Sequence, residues 1–170
     1  MALIKTVNGI SPIFGKDCYL AENATIVGEV SMGEQCSVWF HTVIRGDVNS
    51  ITIGNQTNIQ DGAVIHCTYK TAKTVIGNKV SIGHHALVHG CTLEDETLIG
   101  MGAIVMDGAI VQQGAMVAAG AVVLEGTIVE AGFLYAGIPA KKIKPLDDKL
   151  KEMLTRISGN YIMYAGWFKE

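Results

Sequence analysis

Aromatic and charged residues are scarce in this 170-residue chain, at 6% and 17%, and proline occurs only 3 times. So few aromatics exclude a core built from large rings, yet hydrophobic residues reach 49% and glycine numbers 20. A narrow interior of small aliphatic side chains, repeated along the chain, satisfies both figures. The apolar content is too high, and the charge too low, for a disordered polypeptide. A formal net charge of -3 excludes a general nucleic-acid binder, which needs a basic surface. No block of like charge points to an anionic membrane partner. The cysteines Cys18, Cys36, Cys67 and Cys91 form no CxxC pair, so they read as reduced core residues rather than a disulfide framework. The first residues lack a cationic segment followed by a long apolar stretch, so the reading is a cytoplasmic protein with neither signal peptide nor membrane span.

What is present is a repeat. An aliphatic or aromatic anchor recurs every six positions through Leu93, Ile99, Val105, Val111, Val117, Val123, Val129 and Tyr135, and earlier through Phe14, Leu20, Ile26, Met32, Val38 and Ile44. Between these runs lie Ile53, Ile59 and Ile65, then Ile76, Ile82 and Val88. Four places after an anchor sits a small or β-branched residue, as at Ala24, Cys36, Thr42, Ala63, Ala86 and Ala103. A period of six matches neither a helix nor a simple two-residue alternation. It fits a short strand with its anchor inward, followed by a turn. Three such steps close a triangular coil of about 18 residues, and coils stack at ~4.8 Å. One coil cannot bury its own apolar edge, so its neighbours must. Glycine often follows the anchor, as at Gly15, Gly33, Gly54, Gly77, Gly83 and Gly100, and is expected at corners needing unusual backbone angles.

Three intervals break the period. Nine residues separate Ile44 from Ile53, which predicts a short extra loop at Val48-Asn49-Ser50. Eleven separate Ile65 from Ile76, which places an excursion at Thr68-Tyr69-Lys70-Thr71-Ala72-Lys73. Val88 to Leu93 is one residue short, tightening a corner beside His89. One domain is expected, with residues 1–143 forming the solenoid and 144–170 a helical segment packed on its flank. Leu146, Leu150, Met153 or Leu154, Ile157, Tyr161, Tyr164 and Phe168 recur there at helical spacing. Asp147 or Asp148 is placed to cap the helix, and Gly159 marks a point where it could bend or divide.

His66, His84 and His89 all fall in this disturbed stretch, three of the chain's 5 histidines. Neutral imidazole is a good ligand for zinc, so a concentration of three suggests a metal site. If the excursion lies within one step, Ile44, Ile65 and Val88 share a face on successive coils. Arg45, His66 and His89 then stack, and the two rings can meet one cation. His84 lies on the adjoining face and points away, so a neighbouring subunit would have to supply it. Three-fold cyclic symmetry gives closed, equivalent interfaces of that kind. Arg45, Asp47, Asn58, Gln60 and Asp61 stack on the preceding coil. Arg45 with Asp47 or Asp61 could lock the interface, and Gln60 could orient water.

Arg45-Gly46-Asp47, Gln60-Asp61 with His66 five residues on, and His84 with His89 resemble the pattern of γ-class carbonic anhydrases. The resemblance covers nearly the whole chain, including the exit Gly137-Ile138-Pro139-Ala140-Lys141. It implies a left-handed parallel β-helix of hexapeptide repeats with a C-terminal helix. It also implies a homotrimer with zinc on His66, His84 and His89, and reversible hydration of carbon dioxide to bicarbonate. By the same resemblance Arg45 and Asp47 are interface residues, Gln60 positions the nucleophile, Asp61 assists, and Tyr161 or Tyr164 is the active-site tyrosine. Ligand type alone does not select zinc against Fe2+ or Co2+. The best-studied family form exports its proton through glutamates whose places here hold Val48 and Tyr69, so hydration is expected to be slow or condition-dependent. Two other functions fit the same repeat. One is an acyltransferase using acetyl-CoA or another acyl-CoA, with His84 or His89 as base, and the other a non-catalytic metal-stabilised trimeric scaffold.

Overall fold

Strands of two or three residues, such as Ser81–Ile82, Leu98–Ile99 and Ile104–Val105, alternate with turns along the chain. Each is too short to persist unless it pairs with the strand one coil away. The computed structural model describes residues 1–168. It shows a left-handed parallel β-helix of about 7 turns with one C-terminal helix. The last two residues of the expected helical segment lie outside the described residues.

The register stacks the anchors in columns. On one face Ile26 pairs with Ile44, Ile44 with Ile65, Ile65 with Val88, Val88 with Val105, and Val105 with Val123. The excursion therefore lies within one step of the coil, and it closes on itself through a Thr68–Ala72 bridge. Anchors from Ile26 to Val129 are no more than 5% exposed. Each such side chain contributes about 1.5–3 kcal/mol on burial, which is how small aliphatics support a long, thin core. The strand Lys141–Pro145 turns back antiparallel on Phe133–Ala136 and closes the C-terminal end.

Two expectations need correction. Val48-Asn49-Ser50 is not a loop: Val43–Ile53 is one strand of 11 residues rounding a corner. Its partner Thr25–Met32 follows it, and the surplus is absorbed as a register shift between Gly28 and Val30. The six glycines after the anchors do not serve unusual angles either, since none has a positive φ. They are needed for close approach. A β-carbon on Gly54 would lie 2.6 Å from the Gly77 carbonyl carbon on the next coil.

The terminal helix spans Asp148–Gly166, runs unbroken through Gly159, and is capped by Asp147, whose carboxylate accepts from the Leu150 amide at 2.9 Å. Leu154, Ser158 and Ala165 are its buried residues. The Ser158 hydroxyl donates to the Gln56 carbonyl at 3.1 Å, and Tyr161 meets Trp39 edge-on with ring centroids 5.4 Å apart. That contact sets where Tyr161 lies relative to the residues below.

Candidate metal centre

Two clusters of polar side chains project from different faces of the solenoid. The first grows from the stacked strands Val64–His66 and Leu87–His89, which pair residue for residue and set His89 opposite His66. Coil spacing alone brings the rings together, with centroids 5.0 Å apart. His66 Nδ1 faces His89 Nε2 at 3.0 Å. On the far side of His66, Nε2 is 3.2 Å from Asp47 Oδ1, and Arg45 Nη1 holds Asp47 Oδ2 at 2.6 Å. On the far side of His89, Nδ1 is 2.5 Å from Asp107 Oδ1, whose second oxygen accepts from the Thr68 hydroxyl. The result is a continuous ladder from Arg45 through Asp47, His66, His89 and Asp107 to Thr68.

The chemistry of this ladder is decided at its centre. Carboxylates only accept hydrogen bonds, so Asp47 and Asp107 each call for an N–H on the nitrogen they face. Both central nitrogens are then lone pairs pointing at each other, which is repulsive unless a proton or a cation lies between them. Burial, the Arg45 charge and the His89 ring push the His66 pKa down, against the hydrogen bond to Asp47. A cation between the two nitrogens would relieve the repulsion without a proton. Tetrahedral zinc at 2.0–2.1 Å from each nitrogen would hold the two nitrogens about 3.3 Å apart, close to the observed gap. The donor set also fits, because metal-bound histidines commonly give their other N–H to a carboxylate.

The second cluster surrounds His84. Its Nδ1 lies 2.9 Å from Asp61 Oδ2, and Asp61 Oδ1 also accepts from the Phe40 amide at 3.3 Å. Asp61 therefore pairs with His84, while Arg45 pairs with Asp47. Gln60 and Asn58 are buried at 7% and 1% exposure. The Gln60 amide donates to Asn58 Oδ1 at 3.0 Å, and the Asn58 amide to Ser81 Oγ at 2.8 Å. This chain locks Gln60 with its carbonyl oxygen free to accept. Burial, then the nearby Asp61 charge, pushes the Tyr161 phenol up to about 12. Tyr164 stacks instead between Tyr161 and Trp167.

Within one chain, then, His66 and His89 come together and His84 does not. Among the described residues no group of three His, Cys, Asp or Glu side chains could hold a metal ion. Sequence reasoning missed Asp107. Counting one coil from His89 leads to Met106, because Val88 pairs with Val105, so Asp107 falls one place past the position that the period points to.

Repeat, coil and handedness together define a hexapeptide-repeat protein. No family model matches the chain, but individual proteins do. It is 49% identical over 153 residues to a probable carbonic anhydrase of Methanocaldococcus jannaschii, covering 90% of this chain and 94% of that one. A solved hexapeptide transferase family protein from Anaplasma phagocytophilum superposes with a TM-score of 0.94 at 40% identity, covering 98% of both chains. A Bacillus cereus protein described as a putative acetyltransferase superposes at 0.96 with 34% identity, covering 99% of this chain and 97% of that one. The chain spans 58% of the length of a further relative, the mitochondrial gamma carbonic anhydrase 2 of Arabidopsis thaliana, at 41% identity over 91% of this chain. The chain belongs to the γ-class carbonic anhydrase-like family of hexapeptide-repeat proteins.

Proposed function

We propose that the protein hydrates carbon dioxide reversibly to bicarbonate at a divalent-cation site completed between the subunits of a homotrimer. The observation that carries this reading is the pair of facing nitrogens, His66 Nδ1 and His89 Nε2, 3.0 Å apart. Zinc suits such a site, and Fe2+ or Co2+ have the same donors available. His84 of a neighbouring subunit is the third ligand, oriented by its Asp61. An outward apolar stripe supports this assembly. Val43, Val64, Leu87 and Ile104 stand in register beside the histidines, all partly exposed in the single chain. Such a stripe is the kind of surface that a subunit covers, and Arg45 with Asp47 sits at its edge.

The cation, when bound, supplies the Lewis acidity that makes water a nucleophile near neutral pH. The chain's own residues supply orientation. Gln60, held by Asn58, offers its carbonyl oxygen to a proton of the attacking water and so directs a lone pair toward carbon dioxide. Asp61 keeps the His84 ring in place. Tyr161, whose phenol is raised by burial and by the Asp61 charge, stays protonated and acts as a donor at the site's edge. Proton export is the slow step, because Val48 and Tyr69 stand where glutamates would carry it and Cys67–Lys73 has no carboxylate.

Elemental analysis and the solution mass of the purified protein test the site, and hydration assays on protein loaded with Zn2+, Fe2+ or Co2+ test the activity. The expected outcome is a trimer with bound cation and slow hydration that His89→Ala abolishes. A monomer that takes up no cation under any loading overturns the proposal. A second reading draws on the likeness to the Bacillus cereus protein and on an apolar groove of about 440 Å³, lined by Leu98, Met101, Met116, Met153 and Ile157 with Gln60 at its edge. Acetyl-CoA binding without cation uptake would favour that acyl-transfer reading. Cation binding without hydration would favour the scaffold.

A further inference from the structure

We propose that Asp107 is the positioning residue for His89: its carboxylate dictates which ring nitrogen carries the proton, and Thr68 holds the carboxylate in place. The inference rests on the cation-site reading above and assigns a role to a residue outside the ligand set.

The carboxylate occupies a built position. Val88 pairs with Val105, so Met106 follows in register with His89, and Asp107, one place further along the coil, reaches His89 with its carboxylate, Nδ1 and Oδ1 lying 2.5 Å apart. Space for that approach comes from Gly90, where a β-carbon would collide with Asp107 Oδ1. The second oxygen is held by the Thr68 hydroxyl. Thr68 is itself fixed where the excursion opens, by its bridge to Ala72 and by Asn49 Nδ2 donating to its carbonyl at 3.2 Å. The other end of the excursion is tied to both ligand strands, since Thr74 Oγ1 donates to the His66 carbonyl at 2.6 Å and accepts from the Gly90 amide at 3.0 Å. A casual surface ion pair would need neither the gap at Gly90 nor the hydroxyl of Thr68.

The consequence concerns the tautomer. A free neutral imidazole prefers its proton on Nε2, the nitrogen that here faces His66. A carboxylate on Nδ1 reverses that preference and leaves the Nε2 lone pair ready for a cation. Without Asp107, His89 must give up an Nε2 proton before it can bind. Removing a carboxylate of this kind weakens cation affinity roughly 10- to 100-fold.

The test has two readouts. In metal-free protein, nitrogen–proton NMR correlation of the imidazoles reports the tautomer directly. His89 is expected to be protonated on Nδ1 in the parent and to shift toward Nε2 in Asp107→Ala. Zn2+ affinity, measured by competition with a chromophoric chelator, is expected to fall about 10- to 100-fold in that variant and by less in Thr68→Val. Asp107→Asn keeps an acceptor oxygen, so it should retain the tautomer; circular dichroism checks that both Asp107 variants keep the fold. Parent protein with His89 protonated on Nε2, or Asp107→Ala binding Zn2+ within twofold of the parent, overturns the proposal. Protein that binds no cation yet carries the His89 proton on Nδ1 upholds it and sinks the cation-site reading instead.

Discussion

Two glycine-to-alanine changes should move stability in opposite directions, and the structure says which. At Gly54 the added β-carbon meets backbone: the Gly77 carbonyl carbon at 2.6 Å, its oxygen at 2.7 Å and the Asn78 nitrogen at 2.8 Å. None of these is a flexible side-chain tip, so two coils must separate or twist. Overpacking of this kind costs about 1–3 kcal/mol, sometimes more. At Gly159 a β-carbon meets nothing within 4 Å, and the residue lies exposed in the terminal helix. Alanine there gains about 0.8–1 kcal/mol of helix propensity. For a chain of this size one kcal/mol shifts Tm by roughly 2–4 °C. Gly54→Ala should therefore melt about 2–12 °C lower than the parent and Gly159→Ala a few degrees higher. Thermal melts followed by circular dichroism, at one fixed protein concentration, measure both. Gly54→Ala melting at the parent temperature would refute the account of the glycine column.

Acid should act through Asp47 and Asp107. Burial opposes ionisation of both, but Arg45 and His66 hold the Asp47 carboxyl below the usual range, and Thr68 and His89 do the same for Asp107. A depressed folded pKa stabilises at all pH above the unfolded value of about 3.9 and loses that contribution as pH falls through the folded values. Asp47→Asn should accordingly flatten the loss of stability below about pH 4 in urea melts, and an unchanged acid profile would contradict the ladder. The thiols should be inert: burial pushes Cys67 up and Cys91 up to about 12, so a disulfide reagent at pH 8 should label neither before unfolding, as mass mapping can show. Ser158→Ala removes the bond to the Gln56 carbonyl and should cost about 1 kcal/mol, with faster amide exchange in the terminal helix as the sign of weaker docking.

How far these features were legible from sequence depended on whether a position answers to the period. Anchors such as Ile65, Val88 and Val105 could be aligned by counting, so the facing of His66 and His89 followed once the excursion was placed inside one step. The glycine column was visible but its cause was not, since a tight corner and a close approach call for the same residue. The segment Val48-Asn49-Ser50 was ambiguous because three surplus residues can leave a sheet as a loop or stay within it as a bulge. Only the pairing of Val43–Ile53 with Thr25–Met32 decides. Asp107 escaped because its partner strand Ile104–Val105 sets Met106, not Asp107, after the residue opposite Val88. Side-chain reach across that offset is a property of the folded coil. Which of Tyr161 and Tyr164 packs against Trp39 depends on the rotation of the helix on the solenoid, which spacing does not reveal.

The excursion at Thr68–Ala72 leaves and rejoins the solenoid without disturbing the alignment of Ile65 with Val88. Its length is thus uncoupled from the distance between the two imidazoles, which the stacking of whole turns sets by itself. Residues can be added at its tip, around Tyr69 and Lys70, and the rings will still face each other. The strands on either side have no such freedom, since His66 faces His89 only while Val64–His66 pairs residue for residue with Leu87–His89. The molecule separates a part that can vary from a part that must keep count.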